Sequence, residues 1–115
     1  MTTLYGIANC DTMKKARAWL KDQGVEYEFH DYKKLGVPEK ELKKWCKALS
    51  WETLLNKRGT TWRKLDDAVK EKVTTQTAAI KIMLDNPSII KRPVLDVDGE
   101  YRVGFSAEDY AKAFK

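Results

Sequence analysis

The apolar positions at the start of the chain predict a strand, a helix and a second strand. Residues 3–7 form a short apolar run, which is typical of a buried strand. Apolar residues then recur with helical spacing over residues 11–23, and Gly24 ends that pattern. Residues 25–30 alternate with a period of two, which indicates a strand with one wet face. A strand, a helix and a strand in about 30 residues predict a right-handed unit with two parallel strands.

The middle of the chain carries helical patterns. Three apolar stripes with helical spacing lie there: Leu42, Trp45, Cys46 and Leu49; Trp62, Leu65 and Val69; and Ala79, Ile80, Met83 and Leu84. Residues 51–55 are predicted to form a short turn of helix between the first two. Pro38 suits a first helical turn, and Asn86-Pro87 stops the last stripe. We therefore predict a helical segment over residues 35–88.

The end of the chain returns to β structure. Two apolar runs, residues 94–97 and 101–103, flank Asp98-Gly99, and this dipeptide favours a two-residue hairpin turn. Ser106 followed by Asp109 resembles a capping box, which predicts the start of a final helix. The apolar face of that helix is expected to consist of Ala107, Tyr110, Ala111 and Phe114.

The order of the predicted elements defines a fold class. Without residues 35–88, the order is the thioredoxin-like pattern, in which two parallel strands and a hairpin form one sheet. The length of 115 residues favours one domain. We therefore predict an α/β protein with a thioredoxin-like mixed four-stranded sheet (β-α-β, helical insert, β-β-α). Residues 1–115 form a single domain in this prediction, and residues 35–88 are a helical insert within it.

The composition is that of a soluble globular protein, with 43% hydrophobic and 34% charged residues. No apolar run is long enough to span a bilayer, and the first residues lack the basic and apolar parts of a signal peptide. Two cysteines far apart in the sequence do not form a disulfide scaffold. These features favour reduced thiols, a cytoplasmic location and no membrane partner.

The formal net charge of +5 leaves several partners open. A solvated, lysine-rich surface accounts for this charge, and anionic small molecules such as glutathione or oxyanions are the functional alternative. An acidic macromolecule is a third interpretation. No basic-aromatic stripe or nucleic-acid motif supports it, so we expect no nucleic acid as a partner. Nothing in the sequence requires more than a monomer.

Cys10 is the main candidate for chemistry. It lies between a predicted strand and a predicted helix, and the partial positive charge of a helix N-terminus stabilises a thiolate. Lys14 and Lys15 add positive potential, whereas the charge of Asp11 would raise the pKa of a neighbouring thiol. The second cysteine of a redox motif would stand at position 13, which is methionine. Cys10 is thus a nucleophile that needs an external thiol; the alternative is a buried cysteine that only packs.

Cys46 and His30 are interpreted as structural. Cys46 lies on an apolar stripe with Trp45, which indicates core packing rather than a resolving thiol. His30 is expected on the polar face of its strand, as an exposed residue rather than a catalytic base. With one histidine and two scattered cysteines, no metal site is indicated.

Two basic segments are candidates for binding. In a thioredoxin-like fold Pro93 is expected to be cis and to face the cysteine. Arg92 would then bind an anion or stabilise a thiolate. The alternative is a surface arginine before an ordinary trans proline. Arg58 lies in a basic loop between predicted helices, for which a solvated loop is the simpler interpretation.

Three segments of the chain are distinctive: residues 5–16 (YGIANCDTMKKA), Arg92-Pro93, and residues 103–106 (VGFS). Together they resemble the ArsC/Spx/YffB group, the bacterial arsenate-reductase-like branch of the thioredoxin fold. The resemblance covers essentially the whole chain and is closest to the YffB-type subgroup, whose Asn-Cys-Asp-Thr stretch matches residues 9–12. It gives Cys10 the place of the catalytic cysteine and Arg92-Pro93 that of an arginine–cis-proline pair.

This resemblance implies a glutathione-dependent thiol reductase. An oxidised thiol or a small anionic substrate would react at Cys10, and glutathione would be the co-substrate and resolving thiol. The residues expected to bind substrate or glutathione are Arg92, Pro93, Asn9, Thr12, Lys14 and Arg58. The expected reaction uses no metal.

The same resemblance leaves two alternatives open. Spx-type regulators bind RNA polymerase and typically carry a Cys-x-x-Cys switch, which Met13 removes. Arsenate reductases of this type hold their oxyanion with three arginines. Arg92 matches one of them, the place of another falls near Asn56, and the third falls near Gly104, where no arginine stands. An arsenate reductase with this incomplete arginine set is the second alternative, and the missing arginine argues against arsenate as the substrate.

Overall fold

The computed structural model describes residues 1–114, which form two compact units. One unit comprises Met1–Leu35 and the chain from Arg92 onward, and the other comprises Gly36–Lys91. The sequence placed its helical insert at residues 35–88. The assignment of the whole chain to a single domain stays a prediction.

A mixed four-stranded sheet lies at the centre of the first unit. Its strands are β1 (Thr2–Gly6), β2 (Glu28–Asp31), β3 (Val94–Val97) and β4 (Glu100–Val103). The strand order is β2-β1-β3-β4, in which β1 pairs parallel with β2 and antiparallel with β3, and β3 pairs antiparallel with β4. The predicted α/β class and thioredoxin-like fold are confirmed.

Helices α1 (Asp11–Asp22) and α8 (Ala107–Ala113) build the core of this unit together with the sheet. The short helix α2 (Tyr32–Leu35) directly follows β2. The core consists of Leu4, Met13, Ala16, Leu20, Leu95 and Tyr110, each of them 0% exposed. Full burial of a large apolar side chain stabilises a fold by about 1.5–3 kcal/mol. This cluster therefore fixes α1, and with it the start of α1, against β1 and β3.

The hairpin turn between β3 and β4 follows the sequence prediction. Asp98 and Gly99 both have positive φ, at 51° and 90°. Two successive positive φ values are what a type I′ turn requires, and Asp-Gly adopts them at low cost. The predicted hairpin is therefore confirmed in both its strands and its turn.

Ser106 caps α8, as the sequence predicted, because its hydroxyl accepts a hydrogen bond from the Asp109 N–H at 3.0 Å. We expect Ser106→Ala to lower the free energy of unfolding by about 1 kcal/mol. Ser106→Asp keeps an acceptor at the same position and should remain close to wild type. Urea denaturation followed by circular dichroism measures both, and equal losses in the two variants would contradict the capping role.

The second unit is helical. Its helices are α3 (Glu39–Leu49), α4 (Trp51–Leu54), α5 (Thr60–Arg63), α6 (Asp67–Glu71) and α7 (Gln76–Asp85), followed by a 3-10 turn (Pro87–Ile89). Its large buried side chains include Leu42, Trp45, Leu54, Leu55, Trp62, Ile80, Met83, Ile89 and Ile90. None of the helices within residues 1–114 is long and apolar enough to cross a membrane.

The apolar stripe of Trp62, Leu65 and Val69 does not lie on one helix, so the prediction of a single helical face there was wrong. Helix α5 ends at Arg63, and Asp66 has an extended backbone (φ −60°, ψ 143°) that starts α6. Trp62 is buried, whereas Val69 is 37% exposed. The three residues therefore do not share one buried face.

The start of β2 and the buried face of α8 also differ from the sequence prediction. Strand β2 begins at Glu28 rather than at residue 25, because the Val25 N–H donates to the Leu20 carbonyl and so belongs to the turn after α1. On α8, Ala107 and Ala111 of the predicted apolar face are exposed, and Ala113 packs against the core instead. Neither difference moves the residues predicted to carry chemistry.

Candidate active site

Cys10 lies where the chain leaves β1 and enters α1. Its backbone is extended (φ −148°, ψ 132°), and its carbonyl accepts the first hydrogen bond of the helix from the Lys14 N–H at 3.0 Å. Cys10 is therefore the N-cap residue of a twelve-residue helix. The unpaired N–H groups and the partial positive charge of that terminus act on its sulfur.

Arg92 and Pro93 reach the same end of the sheet through β3. Since β3 runs antiparallel to β1, its first residue pairs with the end of β1, and Val94 lies opposite Tyr5. The Arg92–Pro93 peptide bond is cis, as predicted from the fold. The Pro93 carbonyl accepts a hydrogen bond from the Gly104 N–H at 2.8 Å, which ties this segment to the residue after β4.

The pKa of the Cys10 thiol lies below its ordinary value. Burial opposes ionisation and raises the pKa, but the Met13 N–H, the hydrogen bond and charge of the Arg92 guanidinium, and the Thr12 N–H together outweigh it. Within the described chain the Cys10 side chain forms no cap hydrogen bond of standard geometry. The N–H groups thus act on the sulfur mainly as nearby dipoles, and Arg92 is the side chain that favours the thiolate.

Gly6 is a site residue whose role the sequence analysis missed. A Cβ atom at this position would lie 2.5 Å from Met13 Sδ and 3.5 Å from Arg92 Cβ. The distance to Met13 Sδ is too short for a Cβ atom, whereas the distance to Arg92 Cβ is an ordinary contact, so glycine at this position leaves room for the buried Met13 thioether. The available signal was a glycine inside a predicted strand, which often marks a close approach.

Met13 is a core residue, 0% exposed, at the position where a second redox cysteine would stand. Its thioether packs against Gly6 of β1. The side chain thus contributes to the core beside the nucleophile and supplies no thiol.

Two aromatic residues surround His30, which corrects the prediction of an exposed histidine. Its ring lies 5.1 Å from that of Tyr5 and 6.1 Å from that of Tyr32, and the side chain is half-buried. The prediction failed because His30 pairs in register with Tyr5, whose face of the sheet is covered rather than wet. Burial raises the pKa of Tyr32, and the charge of Arg92 acts in the opposite direction.

Cys46 is 2% exposed on α3, and burial raises the pKa of its thiol to about 11. We therefore expect a neutral alkylating reagent such as iodoacetamide to modify Cys10 alone in the folded protein at pH 7.5. Mass spectrometry after proteolysis identifies the labelled cysteine. Denaturant should make Cys46 reactive as well, and equal labelling of both cysteines without denaturant would contradict the assignment.

The other predicted binding residues occupy different settings. Asn9 and Lys14 are exposed and Thr12 is half-buried, and all three flank Cys10 along the chain. Arg58 belongs to the helical unit, where it is exposed and its N–H donates to Asn56 Oδ1 at 3.2 Å. The structure thus brings Arg92 and the first turn of α1 to the Cys10 sulfur.

The described residues contain no group of three or more histidine, cysteine or acidic side chains placed to hold a metal ion.

A thioredoxin-like sheet with a cysteine at its first helix start and an arginine–cis-proline segment beside it defines an arsenate-reductase-like protein. The chain belongs to the ArsC family, whose pattern matches residues 5–113. This result confirms the resemblance drawn from the sequence motifs. The family suggests an oxidoreductase.

Individual relatives span the full chain. A protein of Haemophilus influenzae is 43% identical over 114 residues, which cover 99% of each chain. A solved structure named YFFB is 50% identical, covers 100% of both chains and superposes with a TM-score of 0.95. The global transcriptional regulator Spx of Streptococcus mutans is 30% identical over 99% of this chain and 82% of its own.

Proposed function

We propose that this protein is a thiol–disulfide oxidoreductase that uses Cys10 as its nucleophile and glutathione as its external thiol. The observation that carries the proposal is the lowered pKa of Cys10, at the start of α1 and beside Arg92. A thiolate is the reactive form in disulfide exchange, and a lowered pKa raises its fraction at neutral pH. Membership of the ArsC family supports redox chemistry at this position.

The proposed reaction has two exchange steps. The Cys10 thiolate attacks the glutathione sulfur of a mixed disulfide, a bond forms between the two sulfurs, and the substrate leaves as a thiolate. The thiolate of a second glutathione then attacks the glutathione sulfur bound to Cys10. This step releases glutathione disulfide and regenerates the Cys10 thiolate. In sum, the substrate is released as a free thiolate, one molecule of free glutathione is consumed, and the glutathione of the mixed disulfide leaves as the other half of the glutathione disulfide.

An external thiol is proposed because the chain offers no suitable second cysteine near Cys10 in sequence. Met13 fills the position of a resolving cysteine with a buried thioether. Cys46 is 2% exposed, and its raised pKa keeps it protonated at neutral pH. Neither side chain supplies an attacking thiolate.

The residues around Cys10 suggest how glutathione would bind. Arg92 presents a guanidinium that can hold a carboxylate in addition to the thiolate. Thr12 and Lys14 lie in the first turn of α1, where free N–H groups and a positive side chain favour an anion. Asn9 and Pro93 would flank the bound peptide. The role of Arg58, which belongs to the helical unit, stays a prediction from the sequence.

The proposal is tested by turnover of glutathione with a small mixed disulfide, coupled to glutathione reductase and followed by loss of NADPH absorbance. We expect a rate that saturates with the mixed disulfide and rises with pH through the pKa of Cys10. A rate no higher than the uncatalysed exchange at every pH would refute the proposal. Arsenate, supplied in place of the disulfide, should not be reduced.

A regulator that binds RNA polymerase is the second candidate function, favoured by the 30% identity to Spx of Streptococcus mutans. Purified RNA polymerase, immobilised and exposed to the protein, tests this candidate directly. Retention at micromolar concentration, with no turnover of mixed disulfides, would favour the regulator over the enzyme.

A further inference from the structure

A groove of about 370 Å³ lies beside the loop that leads to Cys10, and the proposed chemistry does not use it. It is lined by Ala8, Arg17, Phe29, Asp31, Lys34 and Leu35, all within the first compact unit. Ala8 is two residues before Cys10 in the sequence, and Arg17 is in the second turn of α1. This volume lies near the lower end of the range found for ligand-binding pockets.

Arg17 is an exposed residue at the wall of the groove, and its side chain makes two contacts there. Its guanidinium carbon lies 4.6 Å above the centre of the Phe29 ring, and its Nε donates to the Tyr27 hydroxyl at 3.2 Å. None of the described acidic side chains forms an ion pair with it. The two Nη atoms therefore remain available as the fork that binds a carboxylate in a bidentate manner.

The rest of the lining comprises one exposed cation, one buried carboxylate and apolar surface. Lys34 is exposed and, within residues 1–114, forms no ion pair. Asp31 is 8% exposed, and its Oδ1 accepts a hydrogen bond from the Lys33 N–H at 2.9 Å. Leu35 is 68% exposed, an unusual exposure for a large apolar residue, and it lies next to the partly buried Phe29. The groove thus has two exposed cations without an ion pair to any described residue, one buried carboxylate and apolar surface.

The position of the groove favours a polypeptide. Phe29 and Asp31 belong to β2, an end strand with one edge that no other strand of the described sheet covers. An extended peptide can lie along such an edge. Arg17 is seven residues from Cys10 on the same helix, which is about 10 Å along its axis. Three residues of extended peptide span about that distance.

We propose that this groove binds an extended acidic segment of a disulfide-bearing protein substrate. An acidic side chain of that segment pairs with Arg17 and Lys34, and an apolar neighbour contacts Phe29 and Leu35. The acidic residue stands about three positions from the substrate cysteine. The proposal rests on the proposed function and adds its substrate class: the segment carries the mixed disulfide with glutathione and leaves as the free thiolate when Cys10 attacks the glutathione sulfur.

Two matched peptide–glutathione mixed disulfides test the groove. The two peptides differ only at the position three residues from the cysteine, where one has glutamate and the other has lysine. Both carry leucine next to that position. We expect kcat/KM of the wild-type protein to favour the acidic peptide by about tenfold at low salt. Arg17→Gln should reduce this preference to about twofold or less. Lys47→Gln, which removes one charge from an exposed position of α3, should leave the preference unchanged.

Binding is measured separately by NMR titration with the acidic peptide carrying serine in place of cysteine, which cannot react. Shifts at Ala8, Phe29 and Lys34 that disappear in Arg17→Gln support the groove. If the peptide binds there but no mixed disulfide is turned over, the proposed function fails and the groove stands. If mixed disulfides are turned over with equal kcat/KM for the acidic and basic peptides, the groove fails and the proposed function stands. If Lys47→Gln loses the preference for the acidic peptide as much as Arg17→Gln does, the preference comes from the net charge of the protein, and the proposal is overturned.

Discussion

Replacing Cys10 with serine is expected to abolish glutathione-dependent disulfide reduction, to no more than about 1% of the wild-type rate. Serine keeps the size and the N-cap position of the side chain, but a hydroxyl neither ionises near neutral pH nor forms the mixed disulfide. The fold should therefore be retained while the chemistry is lost. The coupled NADPH assay measures the rate, and circular dichroism measures the fold.

Cys46→Ala is the matched control for this variant. Cys46 is 2% exposed in the helical unit, so its removal should cost about 1 kcal/mol of stability through a small cavity and leave turnover unchanged. Undiminished turnover in Cys10→Ser would contradict the proposed function. Loss of turnover in Cys46→Ala, with the fold intact, would contradict the conclusion that only an external thiol resolves the intermediate.

The strands and helices that carry chemistry were predictable because their local signals agree. Asp98-Gly99 favours one turn type, and that turn fixes the register of β3 against β4. Gly24, with φ of 68°, ends α1 where the apolar pattern stops. Each of these signals is contained within a few residues, so sequence reasoning could place Cys10 at a helix start without knowledge of the tertiary contacts.

The features that the sequence analysis missed depend on which elements meet. Alternation along β2 shows two faces but does not show which face is covered, so His30 was assigned to solvent. The close approach of Met13 to Gly6 depends on how α1 lies on β1. The stacking of Arg17 on Phe29 joins a helix to an edge strand, and neither residue carries a local signal for it.

Replacing Arg92 with methionine is expected to raise the pKa of Cys10 and to lower the rate of disulfide reduction at neutral pH several-fold. The Arg92 guanidinium favours the thiolate through a hydrogen bond and through its charge, whereas burial opposes the thiolate. Methionine removes both favourable contributions and keeps the burial. A higher pKa leaves a smaller thiolate fraction at neutral pH. The rate of the first exchange step falls with that fraction, although the more basic thiolate is intrinsically more nucleophilic.

The pH dependence separates this effect from a loss of substrate binding. In the wild-type protein the rate of alkylation of Cys10 should rise with pH through a midpoint below the ordinary thiol pKa. In Arg92→Met the midpoint should lie at higher pH. The alkylation rates of the two proteins should therefore converge in alkaline solution. Thiolate absorbance near 240 nm gives the same two midpoints without a reagent. Lys91→Met removes a neighbouring exposed cation and should shift neither midpoint appreciably. If Arg92→Met keeps the wild-type midpoint but loses turnover at every pH, Arg92 binds the substrate and does not set the thiolate. The lowered pKa of Cys10 would then come from the helix start alone.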